Sequence, residues 1–261
     1  MSSDQAPLRW RVIIHEQPRP GPLNMALDHA VAESARPGEG VLRLYSWKPH
    51  TVSFGRNEPA RGLYDTAAAK REGLAFVRRP TGGRAVLHAH EVTYCAVLPM
   101  RTFGGLREAY VRINQGLVEG LRALGCLAEV ALGGRALAPD AGPCFQSPAP
   151  GEVVLAGRKL VGSAQVLVGD AILQHGSVIL RGDQSALARL TGGSADPAPP
   201  ATLERQVGPR PWREVAEALA AGLGLALGGA WSQGEVTPQE EAGALRLEQE
   251  RYATDAWTWR R

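Results

Sequence analysis

Three stretches of this sequence hold side chains that can do chemistry. The first is Arg78-Arg79-Pro80-Thr81-Gly82-Gly83-Arg84-Ala85-Val86-Leu87-His88. Paired glycines between two strand-like segments admit positive φ and let bare backbone N–H groups approach a ligand. The flanking arginines add fixed positive charge. By itself the stretch also fits a glycine-rich hairpin with solvated arginines. The second is Gly157-Arg158-Lys159-Leu160-Val161-Gly162-Ser163-Ala164-Gln165, in which Lys159 opens a strand of small residues. An ammonium there can orient a carbonyl or hold a thiolate, although a lone strand-end lysine is more often simply exposed. The third is Pro143-Cys144-Phe145-Gln146-Ser147-Pro148. A thiolate does nucleophilic chemistry where a thiol does not, and a nearby cation can supply one near neutral pH; a lone loop cysteine is more often inert.

The other reactive types say less. Cys95 lies in the apolar run 92–98 and Cys126 follows a helical pattern, so both read as small buried hydrophobes. Three cysteines at these spacings give neither a zinc pattern nor a disulfide framework. His88, His90 and His175 fit structural or exposed roles, and no His/Asp/Glu spacing proposes a metal.

The elements that must position these residues follow from periodicity. Strands are expected at 10–14, 42–47, 51–54, 75–78, 85–88, 91–98 and 127–131. Three antiparallel strands at 153–156, 159–168 and 171–180 turn at Gly157-Arg158 and Gly169-Asp170. Helices are expected at 23–33, 64–72, 106–124, 212–225 and 238–249. The clearest is 106–124, with Tyr110, Ile113, Leu117, Leu121 and Leu124 on one face and Gly125 at its end. Residues 133–150 and 196–202 read as loop and linker. Strands outnumber helices without a βαβ rhythm, which argues α+β with a mixed, mostly antiparallel sheet.

Composition sets bounds. The chain has 261 residues, 44% hydrophobic and 21% charged, enough for one large domain with at most a small appendage. The expectation is a single domain over 1–261, its core at about 24–225, with a helical tail at 226–261. A net charge of +3 is too mild for a nucleic-acid-binding stripe but suits an acidic protein partner. No apolar run reaches the length of a membrane span and the N-terminus lacks a signal-peptide pattern, so a cytoplasmic location is expected.

In order, the segments 78–88, His-Glu-Val-Thr-Tyr (90–94), 157–165 and Gln-His-Gly-Ser (174–177) resemble the lipoate-protein ligase and octanoyltransferase superfamily, whose catalytic domain is shared with biotin-protein ligase. The resemblance runs from about Asn24 to the C-terminus. Cys144 to Pro148 is similar to the cysteine motif of the LipM-type octanoyltransferases, which carry it in the loop before the Gly-Arg-Lys segment. Arg84 stands where typical ligases have a third glycine, and residues 251–261 are similar to the ending of such transferases.

The resemblance implies the biotin/lipoate ligase catalytic fold, with a smaller sheet beside the main one and flanking helices. It implies Cys144 as nucleophile and Lys159 as its thiolate-stabilising partner. Substrate contacts would come from Arg79, Thr81, Gly82, Gly83, Arg84, Ala85 and His88, and from Gly162, Ser163, Ala164, Gln165, His175 and Gly176. The implied reaction moves octanoyl from octanoyl-acyl-carrier-protein to a lysine of a lipoyl-domain protein, such as the glycine cleavage H protein or a dehydrogenase E2 subunit. A thioester donor is already activated, so neither cofactor nor metal is called for, and a monomer is the default. Three other readings stay open: an ATP-dependent lipoate ligase, an amidotransferase between lipoyl domains, and a non-catalytic binder of lipoyl domains or of a lipoyl ligand.

Overall fold

The structure, a computed structural model, describes residues 7–131, 151–193 and 199–261. Its main sheet has eight strands. β1 (Arg9–Ile14) lies between β2 (Glu39–Tyr45) and β11 (Ala230–Gln233), parallel to both. β6 (Glu91–Pro99) runs antiparallel to β2, followed by β10 (Ala171–Ile179), β9 (Arg158–Val168), β8 (Val153–Leu155) and β7 (Glu129–Val130), each antiparallel to its neighbour. A second sheet places β3 (Thr51–Phe54) between β4 (Ala75–Arg78), parallel to it, and β5 (Val86–His88), antiparallel. The expected mixed, mostly antiparallel sheet with a smaller companion is what forms.

Helices cover both faces of the main sheet, so its central strands are apolar on both sides. On β6, Val92, Tyr94, Ala96 and Leu98 point into one core, with Ile113, Leu117 and Leu121 of α3 (Leu106–Ala123) and Leu219 and Leu223 of α6 (Trp212–Leu227). Cys95 and Val97 point the other way, into a core shared with Met25, Leu27 and Ala30 of α1 (Gly21–Glu33) and with Ala244 and Leu247 of α7 (Pro238–Leu247). The α3–α6 pair packs backbone to backbone. A Cβ on Gly222 would lie 2.1 Å from the amide nitrogen of Gly120, so a side chain there would force the helices apart. The shorter helices are α2 (Thr66–Arg71), capped by Asp65, α4 (Ser185–Leu190), α5 (Leu203–Val207) and α8 (Asp255–Thr258).

The main difference from the sequence expectation lies after residue 225. The expectation there is a helical tail, but the segment contributes β11, and Trp231 stacks on Trp10 with ring centroids 4.7 Å apart. The strand is four residues long and largely exposed, too short for a period-2 signal; its partner β1 defines it. The tail then returns to the small sheet. Trp259 packs against Phe54 and Phe76, and Arg78 donates to the Thr258 carbonyl at 3.0 Å. Among the described residues, no helix is long and apolar enough to cross a membrane.

Candidate functional site

The loop from β4 to β5 carries Arg79 through Ala85, and a lattice of buried polar groups fixes it. Arg79 donates to the carbonyls of Ser53, Gly82 and Arg84 at 2.8–2.9 Å, lacing the turn to β3. Glu58 accepts from the Gly55 and Ala85 amides, both at 2.8 Å, and so joins the end of β3 to the start of β5. Burial pushes the Glu58 carboxyl up, against the pull of Arg79 and those two amides. Gly83 takes φ 89°, a conformation that disfavours side chains. Its carbonyl lies 1.8 Å from where a Gly55 Cβ would stand, so the loop closes only on a bare backbone. Gly55→Ala is therefore expected to displace the turn, costing about 1–3 kcal/mol of stability. Thermal denaturation checks this.

Beneath the turn a pocket crosses β2, β6, β10 and β9. Met25, Tyr45, Trp47 and Thr93 line it at one end, His175, Gly176 and Ser177 in the middle, and Gly162, Ser163 and Ala164 on β9. Arg79, Gly83, Val86 and His88 cover it together with Ser53. A Cβ on Gly176 would meet the Gly162 carbonyl at 2.3 Å and the Tyr94 ring at 2.8 Å, so the close approach of β9, β10 and Tyr94 behind the pocket needs a glycine there. A larger surface groove runs past His29, Arg36, Arg56, Val166 and Arg251 on the outer side of Pro80. It lacks the buried polar groups of the inner pocket, which is the better candidate for a ligand site.

Two buried networks set the pocket's chemistry. In the first, Asp28 on α1 accepts from Arg43 at 2.6 Å, from the Tyr45 hydroxyl at 2.8 Å and from His175 Nδ1 at 2.9 Å. Burial alone would push its carboxyl up, but Arg43, His175 and Tyr45 hold it below the usual carboxylate value. Burial pushes the His175 imidazole down, against the raising effect of Asp28, and favours the neutral ring. Because the carboxylate can only accept, the proton belongs on Nδ1, and Nε2 accepts from the Thr81 hydroxyl at 2.7 Å. In the second network, His88 lies between Ser53 Oγ at 2.7 Å and Glu91 Oε1 at 2.6 Å, with the Trp47 indole stacked on its ring at 4.0 Å.

Lys159 lies at the start of β9, three residues before the pocket wall at Gly162, and is 2% exposed. Its ammonium donates to Glu152 Oε1 at 2.6 Å. On the other face of β9, Gln165 donates to Gln174 at 2.7 Å, and Gln174 to the Tyr94 hydroxyl at 2.8 Å.

Comparison with known proteins fits this architecture. Residues 20–223 match the family described as the lipoyl protein ligase A/B catalytic domain. The chain belongs to that family. Within it, the octanoyltransferase LipM of Kyrpidia tusciae is 39% identical over 97% of this chain and 99% of its own length. The LipM of Symbiobacterium thermophilum is 37% identical over 97% and 98%. Among solved structures, lipoate-protein ligase A bound with ATP superposes with a TM-score of 0.80 at 23% identity, covering 97% of this chain and 98% of that one. The bipartite lipoate protein ligase of Thermoplasma acidophilum gives 0.75 at 23%, covering 97% and 96%. At such identities the superpositions speak for the fold. The resemblance read from four sequence segments, including its LipM-type branch, agrees with these relatives.

Of the residues expected at the site, Arg79, Gly83, His88, Gly162, Ser163, Ala164, His175 and Gly176 line the pocket. Thr81 reaches it through its bond to His175. Arg84 and Ala85 are buried in the loop beside it, Gly82 is exposed on its rim, and Gln165 is turned to Gln174, off the pocket. Cys144 lies outside the described residues. Sequence reasoning misses Asp28, Glu58 and Glu152, which fall in none of the quoted segments, and assigns no role to Glu91, which lies in the 90–94 segment.

Proposed function

We propose that this octanoyltransferase takes its acyl group from octanoyl-acyl-carrier-protein and delivers it to a lysine of a lipoyl-domain protein, through a thioester on Cys144. The thiolate attacks the donor carbonyl, the bond to the carrier sulfur breaks, and the carrier leaves as its thiolate, which takes a proton from water. Because one thioester replaces another, the step needs no ATP. The acceptor's neutral amine then attacks the acyl-enzyme, Cys144 leaves as its thiolate, the proton lost from nitrogen passes to solvent, and an amide forms. The observation that supports this reading best is a pocket beneath the glycine turn walled by β9 and β10, with a buried lysine at the start of the same β9. The acyl chain would run across the sheet towards Tyr45 and Trp47, each buried methylene contributing about 0.8 kcal/mol. The enzyme acts as a monomer in the cytoplasm.

The test is the intact mass of the protein after mixing with octanoyl-carrier protein without ATP, followed by addition of a lipoyl domain. The expected result is a one-octanoyl adduct on the enzyme that disappears as the lipoyl domain gains the same mass. Transfer that occurs only with ATP and free lipoate would instead make this chain a ligase. An adduct that forms readily from an octanoylated lipoyl domain but not from the carrier would make it an amidotransferase.

A further inference from the structure

We propose that Glu152 is a positioning residue for the transfer reaction: it keeps Lys159 protonated, so that Lys159 can hold the Cys144 thiolate. The proposal rests on the reading of Cys144 and Lys159 given above. Burial disfavours the charged form of an amine, and an ammonium as enclosed as Lys159 keeps its proton only where an opposite charge compensates the lost hydration. Glu152 supplies that charge at 2.6 Å and is itself buried.

Its backbone is fixed on both sides. The Glu152 carbonyl accepts from Ala131 at 2.8 Å, and the preceding Gly151 carbonyl accepts from the Asn114 side chain at 2.6 Å. The pairing of β8 with β9 shifts register at Val153/Val154, just after the carboxylate. A carboxylate anchored this way is placed for Lys159 by the fold itself. In the sequence it stands eight residues after Cys144.

Among the described residues, the other charged or titratable groups on neighbouring elements make different contacts. Arg158, on the same strand, turns to the Pro199 and Pro200 carbonyls. Tyr110 of α3 sits beside Gly151, and Arg79 reaches the pocket from the glycine loop. Glu129 of β7 is exposed, opposite Val154. Among these described groups, Glu152 is the carboxylate in contact with the ammonium.

The experiment measures the rate of Cys144 alkylation by iodoacetamide against pH, followed by mass spectrometry, in the full-length protein. Lys159→Ala serves as reference and is expected to move the profile up by roughly 1 to 3 pH units, the size of effect an adjacent opposite charge has. Glu152→Gln keeps the shape but removes the charge, and is expected to move the profile in the same direction. The decisive variant adds Lys159→Arg. A guanidinium stays charged without help, so Glu152→Gln combined with Lys159→Arg is expected to leave the profile where Lys159→Arg alone puts it. Circular dichroism melting of each variant shows that it is folded; Glu152→Asp, which keeps the charge, replaces Glu152→Gln if that variant is not, and is expected to hold the wild-type profile. An unmoved or acid-shifted profile in folded Glu152→Gln, an upward shift that persists when Glu152→Gln is combined with Lys159→Arg, or an upward shift in Glu152→Asp overturns the proposal. An unmoved profile in Lys159→Ala overturns the underlying reading of Lys159.

Discussion

Replacing Cys144 by alanine is expected to remove the octanoyl adduct and to slow transfer by roughly 10³-fold or more, the scale seen when a catalytic nucleophile is deleted. Cys95→Ala and Cys126→Ala are expected to keep the adduct. The structure gives the reason for the contrast. Cys95 is buried on β6, and burial together with the neighbouring Asp28 carboxylate pushes its thiol well above the usual value. Cys126, after α3, is also buried and likewise pushed up by burial. Neither provides the thiolate that thioester exchange requires at neutral pH. Adduct mass and single-turnover rate, measured on the three variants side by side, settle the matter. An adduct that survives Cys144→Ala and vanishes in Cys95→Ala would move the nucleophile to β6.

The second large effect is expected at Asp28. Asp28→Ala leaves the Arg43 guanidinium, 1% exposed, without its carboxylate, and breaking one side of such a buried pair costs about 3–5 kcal/mol. Asp28→Asn keeps the volume and is expected to recover only part of that. The exposed pair Arg122–Glu119 offers the contrast, since Glu119→Ala is expected to cost less than about 1 kcal/mol.

The pH dependence has a definite sign. The Asp28 carboxyl is held below its usual value, so its stabilisation is fully present above the unfolded value near 3.9 and is lost as pH falls through the folded one. The gap between wild type and Asp28→Asn should therefore be constant from neutral pH to about pH 5 and close only in stronger acid. Urea unfolding at several pH values measures it. A gap that closes between pH 7 and 6 would assign the effect to a histidine instead. In Asp28→Ala activity should fall along with stability, because the carboxylate that holds the proton on His175 Nδ1, and so leaves Nε2 to accept from Thr81, is gone.

Much of the site can be read in the sequence because its chemistry is local. Gly82 and Gly83 fall between two strands of a continuous run, and Lys159 through Ala164 lie on one strand. The groups that hold these residues in place are not legible there, because their partners meet only in the fold. Asp28 reaches His175 across 147 positions and Arg43 across 15. Glu58 reaches Ala85 across 27. Such a carboxylate looks like any surface acid until the sheet brings its donors together. The same holds for backbone elements: α3 carries its own apolar stripe and is readable, whereas β11 exists only by pairing with β1.

That last pairing has a consequence for biosynthesis. β1 emerges from the ribosome before both of its partners; β2 can cover one of its edges early, but the other edge awaits Ala230–Gln233. Roughly 220 residues separate the two, which at about 5–20 residues per second means on the order of 10–40 s of translation with an open strand edge. An unpaired edge of this kind is a template for misassociation between nascent chains. Crowded polysomes and strong overexpression should therefore be hard on this protein, and slower initiation or a holdase chaperone should raise its soluble yield more than any stabilising substitution in the finished core.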